Sequence, residues 1–254
     1  NKVRRKTRMN RKAIIIGSNY DSTLSGVTAD IVEWKKFLLS PIGGAWNPDE
    51  LIILKDARSV EEVVDAIKSA ENADYAFIAF SGHGGIYKRE QNWLGRPETL
   101  ICLEKNEILS EYRLNPGPSC KRCTILLDCC RTSMPDVNNS IKIAFAQENC
   151  NNELKKYYRN LFDKQLKLSD MGCVKIYATG IGYGAEDENS FSRNLIKSAK
   201  SYMRSNQCST LYLNDAVYIA SEAMTDINPQ QIPQYVGGRR NRHFPFAVNP
   251  LILG

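Results

Sequence analysis

The chain holds two histidines, and one of them stands in the run Phe80-Ser81-Gly82-His83-Gly84-Gly85. Further along, an apolar stretch from Cys123 to Leu127 stops abruptly at Asp128, two adjacent thiols, Cys129 and Cys130, and Arg131. A thiol is a weak nucleophile until it loses its proton, and an adjacent imidazole assists that loss. A Cys and a His can therefore attack a carbonyl if the fold brings them together. Glycines beside His83 let a substrate backbone approach and offer main-chain N–H groups to an oxyanion. Singly, Cys130 reads equally well as an inert buried thiol and His83 as a loop histidine bonded to nearby carbonyls. Jointly, they point to acyl-transfer chemistry.

For that meeting the chain needs strands that end side by side. Short apolar runs at 11–20, 50–56, 73–85, 120–130 and 173–184 have the pattern of buried strands, with a last short strand at 242–250. Helical spacing separates them. Val27, Ile31, Trp34 and Leu38 share one face of 27–39, and Ser59 caps 59–70 with acids in its first turn. Further helices are expected at 190–203 and 210–226. Alternating strands and helices with near-continuous apolar strands predict an α/β fold, a roughly six-stranded, mainly parallel sheet with helices on both faces. Working residues in such sheets gather beyond the carboxyl ends of the strands. Three strands end in unusual chemistry there: Gly17-Ser18-Asn19-Tyr20, Ser81-Gly82-His83-Gly84-Gly85 and Asp128-Cys129-Cys130-Arg131-Thr132.

The formal charge of +6 belongs mostly to one end, because residues 1–12 hold seven Lys or Arg and no acid. The remainder is near neutral. Residues 1–11 are therefore expected to form a basic flexible arm, a solvated tail rather than a nucleic-acid or membrane-surface binder. No run approaches the ~18 apolar residues of a membrane span, and the short apolar run after the basic residues does not have the length expected of a signal peptide. Eight cysteines without such a signal are the usage expected of reduced thiols in a cytoplasmic protein. Cys120-x-x-Cys123 is half of a zinc site, but no second Cys-x-x-Cys exists, so no metal is expected. His243 is expected to be a solvated or packed histidine, and Gly182-Tyr183-Gly184 is too weak a pattern for a nucleotide loop.

The segments Ala79-Phe80-Ser81-Gly82-His83-Gly84-Gly85 and Leu126-Leu127-Asp128-Cys129-Cys130-Arg131 resemble the histidine and cysteine motifs of caspase-like peptidases, above all metacaspases and bacterial caspase homologues. The resemblance runs from Lys12 almost to the C-terminus, through 14–30, 97–104, 177–195 and 231–248. Arg131-Thr132 departs from the metacaspase His-Ser, and the loop after Cys130 lacks glycine, which leaves subfamily and calcium dependence open. The resemblance implies one peptidase domain over 12–254, with 12–133 large-subunit-like, 134–172 a linker and 173–254 small-subunit-like.

It also implies roles. Cys130, two residues after the aspartate, is the nucleophile, while strand alternation turns Cys129 the other way, toward the core. His83 is the general acid and base, and the N–H groups of Gly84 and Cys130 form the oxyanion site. Asp128 stands where aspartate-cleaving caspases carry Gln, so a pocket for Arg or Lys before the scissile bond is expected. Asp30, Asp136, Glu186 and Asp187 are candidates for a second acid, unranked. The alternative for Asp128 is a carboxylate that only caps its own loop through backbone N–H groups. The expected partner is a protein or peptide substrate, with no further cofactor. A non-catalytic, partner-binding module is the competing function. Lys142, Lys155, Lys156, Arg159, Lys164 and Lys167 offer basic self-cleavage positions, which the helical pattern of 153–168 disfavours.

Overall fold

The structure, a computed structural model, describes residues 8–19, 23–87, 97–104, 107–133, 152–249 and 251. In chain order its strands are β1 (Arg11–Ser18), β2 (Leu51–Leu54), β3 (Tyr75–Gly82), β4 (Gly84–Tyr87), β5 (Glu98–Cys102), β6 (Ile108–Ser110), β7 (Arg122–Asp128), β8 (Gly172–Tyr177), β9 (Thr210–Tyr212), β10 (Gln234–Val236) and β11 (Pro245–Val248). The helices are α1 (Val27–Leu39), α2 (Val60–Lys68), α3 (Asn152–Leu168), α4 (Phe191–Ser205) and α5 (Leu213–Thr225). Six strands form the main sheet in the order β10-β8-β7-β3-β1-β2, all parallel except β10. Chain order reverses at β1, since β2 lies on one side of it and β3 on the other. The switch point therefore falls beside the strands that carry the candidate residues.

The apolar runs explain the layers. β1 is buried on both faces because neighbouring side chains point to opposite sides. Ala13 and Ile15, with Phe77, Ala79, Leu126, Val174 and Ile176, meet α1, α4 and α5 on one face. Ile14 and Ile16, with Ile78, Phe80, Ile125 and Leu127, meet α2 and the three-stranded sheet β4-β5-β6 on the other. Trp34 and Phe37 of α1 are fully buried, and each such side chain contributes about 1.5–3 kcal/mol. Ser59 caps α2, its hydroxyl accepting from Glu62 N at 3.2 Å.

Three expectations need correcting. The last short strand exists as β11, but it pairs with β9 outside the main sheet. The sixth place goes to β10, whose three residues between Pro233 and Gly237 are too few to show a period. Arg11 is no part of an exposed arm: it begins β1 and is fully buried. Its guanidinium lies 4.4 Å from the Trp46 ring centroid, 3.2 Å from Asp163 and 3.6 Å from Glu50. Arg159 of α3 completes this cluster by pairing with Glu50. The expected helix of 153–168 is present as α3, with Tyr158, Leu161 and Phe162 buried but Leu154 exposed. Residues 1–7 and Lys142 lie outside the described residues.

Candidate active site

β3 and β7 pair in parallel, with Ser81 opposite Asp128, so the chain leaving their carboxyl ends brings His83 and Cys130 to the same rim. Both line one small cleft together with Asp30, Ser81 and Asp128. Alternation along β7 sends Cys129 into the core on the α2 face, where burial pushes its thiol well up. Cys130 is half-buried and borders the cleft.

Each residue has an identifiable anchor. His83 Nε2 lies 3.0 Å from Thr23 Oγ1, a neighbour that sequence reasoning missed because Thr23 sits in an unpatterned loop. The His83 carbonyl accepts from Cys102 N at 2.9 Å, which makes that a hydrogen-bonded pair of the antiparallel β4–β5 ladder. Alternation then turns the Gly84 N–H away from β5. Ile86, two residues on, points the same way and donates to Thr132 O at 2.8 Å, so Gly84 N–H faces the Cys130 segment. A Cβ at Gly84 would fall 2.6 Å from Cys129 Sγ, so only glycine fits this close approach.

The segment around Gly182-Tyr183-Gly184 presses on the same rim. Arg131 N donates to Tyr183 O at 3.0 Å, Gly182 N to Arg131 O at 2.8 Å, and Ala185 N to Cys130 Sγ at 3.3 Å. Arg131 itself is buried, 3.9 Å above the Tyr177 ring, and donates to Thr99 and to Gln234 of β10. Where the metacaspase pattern has His, this chain has an arginine whose guanidinium fastens β5 and β10 to the cysteine strand, while its backbone holds the 180–185 loop.

The four acids proposed to join Asp128 separate. Asp30, only 1% exposed, stands with it in the cleft; its Oδ2 accepts from Ser81 at 2.5 Å and its Oδ1 from Ser190 at 2.5 Å and Arg193 Nε at 2.8 Å. Asp187 borders the cleft but binds Gly26 N and Ser25, at the start of α1. Glu186 accepts from Asn228. Asp136 lies outside the described residues. Asp128 does accept a backbone N–H, as its alternative reading holds, but that of Ser192 in the first turn of α4, at 2.6 Å, rather than one in its own loop. Burial, and then the charge of Asp30, pushes the Asp128 carboxyl up to about 7. Ser81 was visible in the histidine motif without a role, and Ser190 only as the first residue of an expected helix; nothing in the sequence singled out Arg193.

The two cysteines of the half-site are packed into the sheet. Cys123 lies opposite Cys173 of β8, and Cys120 Sγ donates to Arg122 O. His243 is packed, with Nδ1 2.8 Å from Tyr235 OH. Among the described residues, no helix is long and apolar enough to cross a membrane.

A family model for the caspase domain matches residues 10–244. The chain belongs to the caspase family. Metacaspase-1 of Mycosarcoma maydis is 28% identical in an alignment of 145 residues that covers 48% of this chain and 35% of that protein, about a third of the relative's length. The crystal structure of caspase-1 from Spodoptera frugiperda superposes with a TM-score of 0.57 at 12% identity, covering 92% of this chain and 91% of that one, a likeness of fold. Caspase-family membership supports cysteine-peptidase activity, a hydrolysis of protein substrates.

Proposed function

We propose that the protein is a cysteine endopeptidase in which His83 and Cys130 act as a pair and that it cuts after Arg or Lys. The observation that carries this is one cleft lined by His83 from the end of β3 and by the half-buried Cys130 from the end of β7, which two buried acids, Asp30 and Asp128, also border. His83, oriented by Thr23, takes the proton of Cys130, and the sulfur attacks the scissile carbonyl. Negative charge develops on the carbonyl oxygen and is met by the N–H groups of Gly84 and Cys130. As the C–N bond breaks, His83 returns the proton to the leaving amine; water activated by His83 then hydrolyses the thioester and frees the enzyme.

The side chain before the cut enters toward Asp30 and Asp128, where a cation offsets carboxylates that are costly to bury alone. An acidic side chain would be repelled by charge. A peptide library profiled with wild type and with Cys130→Ala tests the proposal. Cleavage after Arg or Lys that is lost in the variant is expected. Cleavage after Asp, or cleavage that survives Cys130→Ala, would sink it.

A further inference from the structure

Arg193, in the first turn of α4, is a charge beside the cleft that the chemistry above leaves unused. Its Nε donates to Asp30 Oδ1 at 2.8 Å and to Ser190 Oγ at 3.1 Å, and its Nη2 donates to the Asp187 carbonyl. A carboxylate offers roughly four acceptor positions. Ser81, Ser190 and Arg193 take up three at Asp30, so the carboxylate best buried to receive a cation already holds one. The arrangement is built into the packing. A Cβ at Gly26 would lie 2.2 Å from the Asp187 carbonyl oxygen and 2.7 Å from Arg193 Nη2.

We propose that Arg193 is a specificity-determining residue, a resident cation that competes with the substrate's basic side chain for Asp30 and leaves Asp128 as the main charge partner. This rests on the basic specificity proposed above. With both ionised, the buried acids Asp30 and Asp128 set two negative charges against the one positive charge of Arg193, so a single incoming cation balances that trio. Glu186 and Asp187, which also line the cleft, are bound to Asn228 and to the start of α1. Because Asp30 is largely occupied, a guanidinium cannot clamp it through both oxygens, and the advantage of Arg over Lys should be small. Removing the resident cation makes the cleft more attractive to an incoming one.

The test compares paired peptides carrying arginine or citrulline, its uncharged near-isostere, before the cut. Measurements are made at pH 8.5, above the value of about 7 to which Asp128 is pushed. Wild type should prefer arginine. Arg193→Gln should raise the arginine-to-citrulline ratio of kcat/KM about tenfold, chiefly through KM. Both absolute rates are free to fall, since the 187–190 segment loses an anchor; the ratio cancels that loss. Arg193→Lys, whose single ammonium cannot serve Asp30 and Asp187 together, should raise the ratio about threefold, and it decides the matter if the Gln variant does not fold. A ratio that stays constant or falls overturns the inference and makes Arg193 a structural anchor only. A wild type that cuts both peptides equally is a different result: it removes the basic specificity itself, and the inference with it.

Discussion

Two buried charge clusters stand at opposite ends of the sheet strands and differ by one charge. At the amino end of β1, Arg11 and Arg159 face Glu50 and Asp163, two cations against two anions. At the carboxyl ends of β3 and β7, Asp30 and Asp128 face Arg193 alone. In the first cluster burial pushes Glu50 up, yet Arg159 and Arg11 outweigh it and hold that carboxyl below its ordinary value, while at Asp163 burial prevails and raises it. In the second, Asp128 rises to about 7. Burial of charge is common to both, so burial does not mark the site. The cation count does: the first cluster is closed, balanced two against two, whereas the cleft is open, lacking the cation that the proposed basic substrate would bring.

The sharpest break separates chemistry from charge. Cys130→Ala or His83→Ala should cut peptide hydrolysis by ~10⁴-fold or more. Neither should move the thermal midpoint, as both residues sit at the rim; kinetics beside a melting curve checks this.

Next comes an operation on the closed cluster. Arg11→Met gives it the charge count of the cleft, and removing one member of a buried ion network costs about 3–5 kcal/mol. The surplus carboxylate then takes a raised pKa and protonates first as pH falls. The loss relative to wild type should therefore be greatest near pH 8 and shrink toward pH 5, as read by urea denaturation at both. An equal loss at every pH would put the cost in packing against Trp46 instead.

The matching operation on the open cluster should do the opposite. Asp128→Asn is expected to lower kcat/KM for arginyl peptides ~10²-fold while Cys130 still alkylates with iodoacetamide. Folding raises this carboxyl from about 3.8 to about 7, so the folded state holds the proton more tightly than the unfolded one. Its ionisation therefore subtracts stability progressively as pH climbs through that window. The variant should be at least as stable as wild type at pH 8, whereas a large loss there would make Asp128 structural. In wild type the same ionisation should lower KM for arginyl peptides about tenfold between pH 6 and pH 8, with the citrulline peptides flat. Smallest of all, Cys129→Ala should cost ~1–2 kcal/mol of stability and leave cleavage intact.

What was legible in the sequence follows from range. β1, β3 and β7 declare themselves by unbroken apolar runs, and Cys129 and Cys130 separate by the two-residue period of a strand. α2 shows its cap, and its apolar face repeats every three to four residues. Such signals are local. β10 was hidden because three residues cannot display a period, and what holds it at the sheet edge is distant in the chain: its pairing with β8 and the bond from Arg131 to Gln234, 103 positions away. Arg11 looked like one more charge in a basic run because its partners, Glu50 and Asp163, are distant in the chain. Arg193 stayed invisible for the same reason, since its meaning lies in Asp30, 163 residues earlier.

β7 and β8 flank residues 134–151 and α3, yet they pair directly, Arg122 with Gly172 through Leu127 with Tyr177. Arg11 and Glu50 on one side of that stretch also hold Asp163 and Arg159 on the other. A cut between Ser133 and α3 would therefore leave two polypeptides sharing one sheet, joined along the β7–β8 seam. From then on their folding would be an association, a meeting of two molecules rather than the collapse of one. The melting temperature of the nicked form would climb with concentration, as a heterodimer's does, a dependence that the cut itself would add.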